Sequence, residues 1–159
     1  LGVARLRSME AEAFIERLPE IRDSISDRSI LRAMHFYAEQ KRVRDFVSAA
    51  QRDDVAELLR LMVRSGRSSA EWLQNVLVPE VGDRQPVALA LALTESFVEA
   101  HAVPAAYRVH GGGFGGTILV VIPDAVFEPY RVHMERTFGP GSVIELRIRP
   151  EGCVYAPVE

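Results

Sequence analysis

Five glycines surround one phenylalanine at Gly111-Gly112-Gly113-Phe114-Gly115-Gly116. No other stretch of the chain points as directly to chemistry. Without a Cβ, backbone N–H groups can turn toward an anion and a ligand can come close. Arg108 and His110 precede the loop two residues apart, so on a strand they share one face at its mouth. These eight residues are the candidate binders of a phosphate-bearing cofactor. The competing reading is a hairpin that uses glycine only for positive φ. Two glycines would satisfy a hairpin, and five exceed what it needs. The loop fits G-x-G-x-x-G at Gly111, Gly113 and Gly116, but a dinucleotide site needs a helix directly after it. Here Thr117 to Ile122 is a β-branched, apolar run that reads as a strand. A protein-kinase glycine loop does lie between strands, yet it needs a lysine on a following strand. The only lysine is Lys41, far upstream.

Other reactive side chains form no set. His35, His101, His110 and His133 lack metal-ligand spacing, and no metal site is expected. Asp53-Asp54 and Ser68-Ser69 read as helix caps, the latter with Glu71 as a capping box. Cys153 has no obvious base. No catalytic residue is assigned.

The elements that must position the loop follow from periodicity. Val3 to Ser8 reads as a short strand. Ser8 would cap a helix carrying Phe14, Leu18 and Ile21, which Pro19 limits. Asp27 would cap a helix over about 28–50, with a stripe of Leu31, Met34, Ala38, Val43, Phe46, Val47 and Ala50. Asp54 with Glu57 opens the next helix, with Val55, Leu58, Leu59, Met62 and Val63 at i, i+3, i+4, i+7, i+8 and Gly66 as its stop. Pro86 starts a helix to about Ala100 that is apolar nearly all round. Ala105 to His110 and Thr117 to Ile122 are strands around the glycine loop. Asp124 caps a helix with Phe127, Tyr130, Met134 and Phe138 inward. Ser142 to Arg149 alternates as a half-exposed strand, and Cys153 to Tyr155 is a last short one. The order predicts an α+β fold. Its core would be a ferredoxin-like split βαβ antiparallel sheet, with helices on one face and additional helices after the first strand.

The chain has 159 residues, 48% of them hydrophobic and 26% charged, with a net charge of −3. These values fit one globular domain over 1–159. The acidic balance gives no reason to expect nucleic acid or a membrane surface as partner. Arginine outnumbers lysine 18 to 1 without clustering, as codon bias would produce. No apolar run approaches the length of a membrane helix. The single cysteine fits a reducing, cytoplasmic compartment. Leu1 to Arg5 has no basic leader and no initiator Met, as in a processed or excised fragment.

Arg108-Val109-His110 followed by Gly111 to Thr117 resembles the third conserved motif of galactokinases, members of the GHMP small-molecule kinase superfamily. Arg32, His35, Glu39, Arg42 and Val43 resemble that family's R-x-x-H-x-x-x-E-x-x-R-V helix. Gly66-x-Ser68-Ser69 with Leu73-Gln74-Asn75 is similar to a segment of one galactokinase subgroup, and the tail to Gly152 also follows the family. The resemblance implies the C-terminal domain of a two-domain enzyme that uses ATP and Mg²⁺ to phosphorylate the anomeric hydroxyl of galactose. It places Gly111 to Gly116 near the sugar and the ATP phosphates. The sugar motif, the Ser-rich phosphate loop and the catalytic Asp and Arg of the family would lie in an N-terminal kinase domain outside this chain. The chain alone would be inactive and would expose a face able to self-associate. His110 stands where many galactokinases have Thr, and Thr117 where many have Cys. Val78 to Gln85 lacks the Cys-Pro-Glu-Leu-Asp pattern. These departures bear on the sugar more than on the fold. The reading from another class is a non-catalytic ligand-binding or interaction module that keeps the fold.

Overall fold

Proline and a serine cap shape the N-terminal third. The computed structural model describes residues 4–78, 82–114, 116–148 and 150–152. Leu6–Ser8 forms a 3-10 turn rather than part of a strand. Leu6 packs against the cluster of Phe14, Ile30 and Ala33, and its carbonyl accepts a 3.1 Å bond from the Tyr37 hydroxyl. That helical partner supplies what a neighbouring strand would have supplied. Helix α1 spans Ala11–Glu16 with Glu10, not Ser8, at its N-cap. The chain breaks at Arg17 and resumes as α2, Leu18–Ile21, with Pro19 in the first turn where its missing N–H costs nothing.

Helix α3 runs over Asp27–Ala50 and is capped by Ser26, whose side chain accepts from the Ser29 N–H, rather than by Asp27. It buries Ile30, Ala33 and Ala49. Val43, Phe46 and Val47, expected inward, are 58%, 42% and 51% exposed. Helix α4, Val55–Ser68, begins as expected at Asp54, which accepts a 3.0 Å bond from the Glu57 N–H. The Glu57 carboxylate pairs with Arg60 instead of closing the capping box. Gly66 does not stop α4. It lies inside the helix, where an added Cβ would sit 2.8 Å from Arg108 Cβ and 3.1 Å from the Tyr107 carbonyl. This glycine is therefore a close-approach residue. Ser68-Ser69 is not a cap either, because the helix continues through a π-helical turn, Ser69–Leu73. That turn ends on Gln74 at φ 56.

Helix α5, Pro86–His101, has its proline in the first turn. Strands β1, Ala106–Val109, and β2, Ile118–Val121, pair antiparallel, with Tyr107 opposite Val120 and Val109 opposite Ile118. A 3-10 turn at Asp124–Val126 leads into helix α6, Phe127–Phe138. The hairpin carries two clusters: Val76, Val87 and Val109 with Ile118, and Phe97, Tyr130 and Met134 with Ile118 and Val120. Both join it to the helices that follow Pro79. Within the second, the hydroxyls of Thr94 and Tyr130 bond at 2.8 Å.

The class is α+β, but two expectations change. Among the described residues the sheet has two strands. Helices flank β1 on both faces: α5 on the Val109 face and α4 on the Arg108 side. Residues 142–148 form no strand, and Ile144, Leu146 and Ile148 are 76%, 73% and 99% exposed. Alternation creates one apolar face but not a partner edge. At β1, α4 already approaches the Tyr107 carbonyl. Arg149 and the strand expected at Cys153 to Tyr155 lie outside the described residues.

Candidate functional site

The glycine loop joins β1 to β2. Its base is closed by the His110 N–H, which donates to the Thr117 carbonyl at 2.8 Å. His110 itself is exposed. Gly111 and Gly113 have φ of +64° and +81°. A Cβ on Gly111 or Gly112 would meet nothing within 4 Å among the described residues. That side of the loop is open, as close ligand approach requires. Gly113 is different: a Cβ there would fall 2.3 Å from the Asn75 carbonyl oxygen and 2.8 Å from its side chain. Its missing side chain makes room for protein, not for ligand. Gly115 lies outside the described residues.

Phe114, the one apolar residue of the loop, does not pack inward: it is 45% exposed and left-handed at φ 58. Its backbone does the anchoring, through a 2.8 Å bond from its N–H to the Asn75 carbonyl. The Asn75 side chain donates 3.1 Å to the Gly112 carbonyl. A residue that is 1% exposed thus holds the loop at two points.

Arg108 and His110 share a strand face in sequence, but the Arg108 side chain is spent below the loop mouth. Its guanidinium donates to the Ser65 hydroxyl, to the Ser69 hydroxyl at 3.4 Å and to its neighbouring Val109 carbonyl at 3.1 Å. Ser65 in turn donates 2.7 Å to Glu39, which is ion-paired with Arg42. His35 Nδ1 and the Ser68 hydroxyl share a 2.9 Å bond. The seam between α3, α4 and β1 is therefore polar, with Ser65, Ser68 and Ser69 all buried. Burial, followed by the Arg42 and Arg108 charges, holds the His35 pKa below its ordinary 6.5. Burial alone lowers that of Arg108.

Sequence reasoning missed Asn75, Ser65 and Ser69 as partners of the loop and its strand. A clue was available only in the serines, which are polar residues where a helix stripe should turn apolar; Asn75, beyond the helix end, carried none. Among the described residues no three His, Cys, Asp or Glu stand together as metal ligands. No helix among them is long and apolar enough to cross a membrane.

Comparison with known proteins agrees with the loop's resemblance. The chain is 32% identical over 130 residues to the galactokinase of Actinobacillus pleuropneumoniae, covering 82% of this chain and 31% of that protein. It is 29% identical over 155 residues to the galactokinase of Homo sapiens, covering 96% of this chain and 35% of the relative. It is 31% identical over 142 residues to the galactokinase of Haemophilus influenzae strain PittEE, covering 87% and 34%. The chain thus spans about a third of the length of the curated relatives it matches. No protein family model matches it.

Proposed function

We propose that this chain, related to galactokinases over most of its length, is the C-terminal domain of a galactokinase-like sugar kinase of the GHMP superfamily. The full-length enzyme would transfer a phosphoryl group from ATP, with Mg²⁺, to the anomeric hydroxyl of galactose in the cytoplasm. The observation that carries this reading is the sequence match, 32% identity over 130 residues, together with a glycine loop whose Gly111 and Gly112 face open space among the described residues. Phosphoryl transfer depends on positioning and charge stabilisation. Backbone N–H groups on a loop held at both ends by a hairpin supply the first and part of the second. His110 stands exposed beside that loop. The acid–base residue, the metal ligands and the remaining phosphate cradle would come from the N-terminal kinase domain.

The test uses the full-length protein with ATP, Mg²⁺ and galactose. Galactose-dependent ADP release is expected, and it should be absent when this chain is assayed alone. Gly112→Ala is the informative variant, because its φ is not positive and its Cβ would touch nothing within 4 Å among the described residues. It should leave the unfolding midpoint unchanged while cutting kcat/KM for ATP by roughly tenfold or more. Unchanged turnover in Gly112→Ala would assign the loop a purely structural role. A full-length protein that binds sugar or nucleotide without transfer would favour the non-catalytic module.

A further inference from the structure

We infer that Asn75 is a positioning residue for the glycine loop, so that the loop's geometry is set from the π-helical end of α4 and not by the glycines alone. The inference rests on the loop being the ligand-facing element proposed above.

Three contacts converge on this one residue. Its carbonyl accepts from the Phe114 N–H at 2.8 Å, and its amide group donates to the Gly112 carbonyl at 3.1 Å. Its backbone fills the space a Gly113 side chain would need. Three consecutive loop residues are therefore fixed by one neighbour. The geometry has a conformational cost. Gln74, directly before Asn75, and Phe114, bonded to it, both have left-handed φ, at 56° and 58°. Neither is glycine, and such residues persist only where their surroundings enforce them. The Asn75 side-chain oxygen is also buried with no hydrogen-bond partner among the described residues. For stability alone, a residue lacking that acceptor would serve better. Strain and an unmet acceptor at one junction fit a position selected for loop geometry.

The turn that presents Asn75 is itself tied to the strand that feeds the loop. Arg108 of β1 donates to Ser69, the first residue of the π-helical turn, as well as to Ser65. Strand and loop are thus referenced to the same helix end.

The experiment compares the full-length wild type with Asn75→Ala and the nearly isosteric Asn75→Leu, which keeps the packing and buries no charge but loses the donor to Gly112. Hydrogen exchange of the 111–117 segment is read by mass spectrometry, and kcat/KM for ATP and the unfolding midpoint are measured alongside. Both variants should exchange this segment about tenfold faster, since one hydrogen bond is worth roughly that factor. Asn75→Leu should lose about tenfold in kcat/KM for ATP with a midpoint close to wild type. Unchanged loop exchange in both variants would overturn the tether. Faster exchange with unchanged kcat/KM for ATP would overturn the positioning role. A wild type without sugar-dependent ADP release would count against the kinase reading, and loop exchange would still decide the tether.

Discussion

At the scale of single residues, the glycines of this chain do different jobs, and substitution should separate them. Gly113→Ala adds a Cβ 2.3 Å from a backbone oxygen at a φ of +81°. Both effects oppose folding, and the backbone cannot yield as a flexible side chain could. A loss of about 1–3 kcal/mol is expected from equilibrium denaturation. Gly112→Ala should show no such loss. Equal destabilisation of both variants would contradict the packing described for the loop. Ala102 ends α5 in the left-handed conformation at φ 48, with its N–H bonded to Glu99 and Val98 carbonyls. Ala102→Gly removes the Cβ penalty at a position where glycine is favoured. It should stabilise the protein by about 1 kcal/mol, measured as a rise in the denaturation midpoint.

At the scale of elements, the contact of α4 with β1 decides the sign of a mutation that helix propensity alone would misjudge. Gly66→Ala in an isolated helix would gain about 1 kcal/mol. Here the new methyl would sit 2.8 Å from Arg108 Cβ and 3.1 Å from the Tyr107 carbonyl. Overpacking of about 1–3 kcal/mol outweighs that gain, so net destabilisation is expected. The neighbouring polar seam adds a pH signature. The His35 pKa in the folded protein lies below its ordinary 6.5, chiefly through burial. The unfolded chain therefore binds the proton more readily, and stability present above about 6.5 is lost as pH falls toward the folded-state value. Thermal midpoints measured between neutral and mildly acidic pH should decline, and His35→Gln should flatten that decline. The seam also shows what the sequence made legible. Periodicity located α4, α5, α6 and both hairpin strands because each carries an apolar face with clear ends. It misjudged the buried face of α4, where Leu61, Ser65 and Ser68 go inward while Val55 is 62% exposed. Serine burial is repaid by Glu39, His35 and Arg108, partners 26, 33 and 43 residues away along the chain. No local pattern encodes such distances. The glycine loop was visible as composition; its anchor, Asn75, was not, since its partners are made by tertiary approach.

At the scale of the whole molecule, the exposed apolar residues ask for a neighbour. Val43, Phe46 and Val47 share one face of α3 and remain at least 42% exposed. Contiguous apolar surface of this kind marks interaction sites. On the two-domain reading, the chain by itself should associate at high concentration, and Phe46→Glu should reduce that association. Light scattering across a concentration series checks this, and a strictly monomeric chain would speak against it. One further consequence comes from the π-helical turn at Ser69–Leu73. A π turn holds more residues than an α turn for nearly the same advance along the axis. Removing a single residue, for example the exposed Ala70, would let the turn relax to ordinary α pitch. Because the extra residue is taken up within that one turn, everything beyond it would keep nearly the same bearing around the axis. Asn75 would then still face the glycine loop, whereas removing one residue from the α-helical part of α4 would turn Asn75 away by about 100° with every functional side chain still present. The alignment of this corner is held by a count of residues as much as by their chemistry, so a one-residue deletion should be tolerated in the π turn and not in the α-helical turns before it.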